Sequence, residues 1–131
     1  MSGEVRGGVR IMLRAESLCV LAVALYLYAR HGAGWDTFAL FFLAPDLSFL
    51  GYLAGPRVGA LCYNAAHSYI GALACFALGA TLASTVFVAA ALIWCAHIGF
   101  DRALGYGLKY VDGFGHTHLG HIGRARASAH V

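Results

Sequence analysis

Residues 81–104 read TLASTVFVAAALIWCAHIGFDRAL. About 20 apolar residues are needed to cross a bilayer as a helix, and this run carries no charged side chain before His97. Its last turns then present His97, Asp101 and Arg102. A charge in hydrocarbon costs about 2.5–3.5 kcal/mol on insertion scales, so it persists where it is paired, bound or used. His97 and Asp101 are separated by one helical i,i+4 step and share a face. The stretch therefore reads as a membrane span and as part of a site.

Working outward, three more apolar runs appear. They cover residues 11–29, 35–54 and 58–78, and breaks are expected at His31-Gly32-Ala33-Gly34, at Gly55-Pro56-Arg57 and near Gly79. The expected fold is all-α, a four-helix transmembrane bundle, in one domain covering residues 1–131 with a tail from 105. Short connections favour antiparallel neighbours. The composition agrees: 60% of the 131 residues are hydrophobic and 11% are charged, against about 25% charged in a soluble domain. The mean hydropathy is +0.71.

Basic residues set the expected orientation. Arg6, Arg10, Arg14, Arg57, Arg102, Lys109, Arg124 and Arg126 fall on one side of a four-span arrangement, and Arg30 alone on the other. Both termini are therefore expected in the cytoplasm. Arg6, Arg10 and Arg14 precede an apolar run as in a signal peptide, yet no Ala-x-Ala site follows Leu27, so a retained first helix is expected. A net charge of +3 without basic–aromatic interleaving gives no case for nucleic acid. The partner implied is the lipid bilayer, and a homo-oligomer stays open. Cys19, Cys62, Cys75 and Cys95 form no CxxC pair and read as packing residues.

Placed by depth, Glu16, Asp46, Asn64, His67, His97 and Asp101 all fall in the basic half of the spans. Asp46, His67, His97 and Asp101 are the candidate metal ligands, because imidazole and carboxylate oxygen suit Zn, Mn or Fe(II). Glu16 is the candidate base, taking a proton from an attacking water. Arg14 pairing with Glu16 at the interface is the alternative. Asn64, Arg102 and Lys109 are the candidate substrate-binding residues, Asn64 by orienting a ligand and the two cations by holding an anionic group. A basic belt against anionic lipid is the plainer reading of the cations. Pro45 lacks an N–H, so a kink beside Asp46 and a freed carbonyl near Phe41 are expected. His116, His118 and His121 form a His-x-His-x-x-His run in a polar tail, read by default as solvated.

Two classes of function fit this pattern. One is a metal-dependent hydrolase acting on a lipid-linked or phosphorylated substrate. The other is a non-enzymatic membrane protein whose polar cluster fixes helix register, binds a partner, or ligates haem through His67 and His97.

Several segments together carry a resemblance. They are residues 43–52 (LAPDLSFLGY), Tyr63-Asn64 with His67, residues 97–110 (HIGFDRALGYGLKY) and residues 117–120 (THLG). The chain resembles a family of small four-span bacterial membrane proteins catalogued only as a domain of unknown function. The resemblance covers nearly the whole chain and implies no activity. A fainter similarity, in the order Pro-Asp, His, His-x-x-x-Asp, is to membrane-bound metal-dependent hydrolases of bacterial inner membranes. Those carry more histidine in the middle motif, and here Asp46, His67, His97 and Asp101 are the matching positions.

Overall fold

A computed structural model of the chain describes residues 5–31, 33–109 and 116–121. Helix α1 is Gly7–His31, α2 is Trp35–Phe41, and a 3₁₀ helix runs Ala44–Ala54. Helices α3 (Pro56–His67), α4 (Tyr69–Thr81) and α5 (Thr85–Leu104) follow, and a small antiparallel pair, β1 (His116–Thr117) and β2 (Gly120–His121), ends the described chain. Gly7–His31, Trp35–Ala54 and Thr85–Leu104 are each long and apolar enough to cross a membrane, and α3 with α4 makes a fourth span if the bent pair counts as one. Arg124 and Arg126 lie outside the described residues.

Apolar side chains cover the outside. Leu53 is 88% exposed, Ile70 81% and Leu40 75%. Such a surface would be untenable in water, and in a bilayer it is the lipid face. The protein is a multi-pass helical membrane protein.

Helix α5 is the axis of the assembly. Its buried Ala89, Leu92 and Ile93 form a core with Tyr28 of α1, and Ala33, Phe38 and Phe42 pack against it. Small residues let the neighbouring helices close in on α5. A Cβ on Gly99 would stand 2.8 Å from the Ser17 carbonyl oxygen and 3.0 Å from the Leu21 amide nitrogen, so α1 and α5 meet backbone to backbone there. The 3₁₀ helix lies on α3 through Gly51 against Cys62 and Gly59 against Tyr52.

Two helix ends differ from the sequence reading. The turn before α5 falls at Leu82–Ser84, later than the break expected near Gly79. Ser84 N–H donates to Gly79 O at 2.8 Å, Ala83 takes a positive φ of 52°, and the Ser84 hydroxyl accepts from Phe87 N–H. This is a glycine-type helix stop with alanine in the left-handed position, so composition does not announce it. The third span is broken at Ser68, with α3 and α4 bent by 42°. Ser68 is extended, and its hydroxyl caps α4 by accepting from Ile70 N–H. The carbonyls that the break strands are taken up by α5: Trp94 Nε1 donates to Ala66 O, and Arg102 donates to His67 O at 3.2 Å.

Candidate metal centre

Pro45 starts the argument for the site. It removes the N–H that Phe41 O would accept, and the chain tightens from α to 3₁₀ winding. Asp46 N–H then donates to Leu43 O at 3.0 Å rather than one residue further back. In an α-helix it would have reached Phe42 O. That carbonyl is left to accept from His97 Nδ1–H at 2.6 Å. The freed acceptor that matters is thus one residue beyond the one the proline position suggests.

His67 is oriented in the same way from its own helix. Its Nδ1–H donates to Tyr63 O at 2.9 Å, and its ring stacks on Tyr63 with centroids 3.8 Å apart. Carbonyl oxygens only accept, so both histidines carry their proton on Nδ1 and turn Nε2 inward. The two Nε2 atoms are 3.2 Å apart. His67 Nε2 is 3.3 Å from Asp46 Oδ1 and 3.4 Å from Asp101 Oδ2. His97 Nε2 is 3.2 Å and 3.1 Å from the same two oxygens. All four atoms lie within 4.8 Å of one another. The histidines are 3% and 1% exposed, whereas the Asp46 side chain keeps 35% of its surface open.

The five separations that involve an imidazole nitrogen, 3.1–3.4 Å, are close to those in a small ion's coordination shell. Ligands at about 2.0–2.2 Å in a tetrahedron stand roughly 3.3–3.6 Å from each other. The electrostatics point the same way. Two neutral imidazoles with Nδ1 occupied and two carboxylates offer four inward acceptors and no donor. Two positive charges are needed to make the knot stable, supplied either by one divalent ion or by two extra protons.

The structure brings together Asp46, His67, His97 and Asp101, from three of the four candidate spans. Glu16 is exposed on α1 and is not among the clustered side chains. Arg14 uses its Nε to donate to Ala103 O at 2.9 Å. Asn64 sits beside the cluster with its carboxamide committed: Nδ2 donates to Lys109 O at 2.8 Å, and Oδ1 accepts from Lys109 N–H at 2.6 Å. It therefore pins the segment after α5. Arg102 lies over the Tyr69 ring at 4.8 Å, and the Lys109 ammonium lies over Tyr63 at 4.7 Å. Burial pushes Lys109 down to about 8, with the Asp101 carboxylate opposing.

The tail is docked where the sequence suggests solvation. Thr117 and Leu119 are buried. His118 Nδ1 accepts from Leu108 N–H at 2.8 Å, and burial followed by the nearby Arg102 charge hold this imidazole below its ordinary value. The side chains of His116 and His121 lie outside the described residues. Replacing Asn64 with leucine should release this cap. Two backbone groups of Lys109 lose their partners, at about 1–3 kcal/mol each where they stay buried. Faster amide exchange at residues 105–109 with unchanged exchange in α5 is the expected result. Unaltered exchange at Lys109 would show that the carboxamide holds nothing.

The chain matches no curated protein and no solved structure. One family model does match it, over residues 10–122. The protein belongs to the family described as Domain of unknown function (DUF4260).

Proposed function

We propose that Asp46, His67, His97 and Asp101 hold one divalent ion, and that the protein uses it to hydrolyse a lipid-linked or phosphorylated substrate. The observation that carries this reading is the convergence: both Nδ1–H groups are consumed by carbonyls, which turns two Nε2 atoms and two carboxylate oxygens onto one point. A 2+ ion balances two carboxylates and leaves a neutral centre, as the surrounding hydrocarbon favours. Zn, Mn and Fe(II) accept this donor set. A haem on His67 and His97 needs room for the macrocycle between the rings, so an Nε2–Nε2 separation of 3.2 Å favours a bare ion.

Such an ion supplies Lewis-acid polarisation of a phosphoryl or acyl oxygen. In the hydrolysis, water oxygen bonds to phosphorus or acyl carbon, the bond to the leaving oxygen breaks, and the proton lost by water ends on that oxygen. Asp46 faces the open side and is the better-placed carboxylate to relay the proton. Glu16 keeps that role only if water reaches the outer face of α1. Arg102 and Lys109 would neutralise an anionic headgroup beside the cluster. The charge asymmetry supports a cytoplasmic location for this side and for both termini.

The rival is a structural network in which both imidazoles are protonated and bonded to the carboxylates, which the 3.1–3.4 Å spacings also accommodate. Elemental analysis of protein purified in detergent separates them. About one equivalent of ion per chain, removable by chelator, is expected. Restoring the ion at 100 times its Kd should stabilise the fold by about 2.7 kcal/mol. No bound ion, and no rise in melting temperature with zinc, manganese or ferrous iron, would leave the protonated network standing.

A further inference from the structure

Beside the cluster lies a cleft of about 870 Å³ that none of the four clustered side chains lines. Phe41, Pro45 and Ser48 form one wall, and Val86, Ala90 and Trp94 of α5 form the other. Its size is that of a ligand pocket. The cleft is not an aqueous mouth: it runs between two membrane spans with a mainly apolar lining that also includes His31, Thr37, Ser48 and Thr85. From Thr85 to Trp94, both lining residues, it covers about 14 Å of depth at 1.5 Å per residue.

Its position relative to the cluster is the informative part. Pro45 and Ser48 flank Asp46, the side chain that leaves the cluster open, and Ala66, also in the lining, precedes His67. The cleft thus begins against the chain segments that carry Asp46 and His67 and runs away from the basic end towards His31 and Thr85. An amphiphile from the basic-side leaflet has this layout: polar linkage near the interface, chain pointing inward. A soluble phosphorylated molecule would leave the cleft without use.

We propose that the cleft holds the hydrocarbon chain of a membrane lipid, placing that lipid's headgroup linkage at Asp46, His67, His97 and Asp101. This names the substrate class for the metal-site reading and rests on it.

Reconstitution into phosphatidylethanolamine–phosphatidylglycerol vesicles tests it, with a fraction of a phospholipid bearing a diazirine at the end of one acyl chain. After illumination, labelled residues are mapped by mass spectrometry. Val86 and Ala90 should be labelled several-fold more than Leu78, which is exposed outside the cleft at a similar height, because Gly79 packs on Val88. Ala90→Trp, on an exposed position, should cut the cleft label several-fold while the bound ion stays at its wild-type amount. Equal labelling of Ala90 and Leu78 would mean only surrounding lipid and would overturn the proposal. So would an Ala90→Trp variant that keeps its label and changes its molar mass in detergent, which would place a second copy of the chain in the cleft. A cleft label in protein that binds no ion would overturn the substrate role and the metal reading together, whereas an unlabelled cleft beside a full metal site would overturn the lipid assignment alone.

Discussion

His97→Ala should abolish bound metal. The substitution removes one of four inward acceptors and leaves an opening where the imidazole was. Groups that only support a metal ligand already cost 10–100-fold in affinity when removed, so losing the ligand itself should cost more than about 100-fold. The Phe42 carbonyl loses its donor at the same time. Most of the helical circular dichroism should persist, because α5 is held to α1 and α4 by apolar and small-residue packing. Asp46→Asn is the companion variant: it keeps the shape and removes one charge, and it should also lose the ion. Metal content by mass spectrometry and any hydrolytic turnover should fall together. One equivalent of ion retained by His97→Ala in folded protein would remove the four-residue centre.

Gly99→Val should damage the fold itself. The atoms that a Cβ would meet belong to the α1 backbone, the Ser17 carbonyl oxygen at 2.8 Å and the Leu21 amide nitrogen and Cα at 3.0 and 3.3 Å. Backbone cannot rotate aside as a side chain can, so α1 and α5 must separate. Overpacking of this kind costs about 1–3 kcal/mol, occasionally more, and Gly99 lies between His97 and Asp101. A lower unfolding midpoint in detergent with weakened metal binding is expected. Gly8→Ala is the control, since a Cβ there meets nothing within 4 Å. Equal midpoints for the two variants would show that the α1–α5 approach is looser than these distances.

Much of this site was legible because hydrocarbon makes charge conspicuous. Asp46, His67, His97 and Asp101 each interrupt an apolar run, and depth along a helix follows directly from residue number. Depth alone also admitted Glu16, which is exposed, and suggested a substrate contact for Asn64, whose carboxamide instead clamps the Lys109 backbone. Both cases turn on rotation about the helix axis, which spacing leaves open when neighbours are unknown. The bend at Ser68 was hidden for a different reason. A lone serine within an apolar run fits an unbroken helix equally well, and the break is sustained by Trp94 and Arg102, distant in sequence. Ala83 in a glycine-type turn and the docked Thr117 and Leu119 likewise depend on partners far along the chain.

The 3₁₀ winding after Pro45 has a mechanical side. Its eleven residues extend about 22 Å at 2.0 Å per residue, where an α-helix would extend about 16 Å. Rewinding Asp46 into an α-turn would return its N–H to the Phe42 carbonyl, the same oxygen that orients His97. One oxygen would then serve two donors, and the winding that brings the second one to it is also the more compact. The length of that span and the aim of a buried imidazole therefore meet at a single oxygen atom.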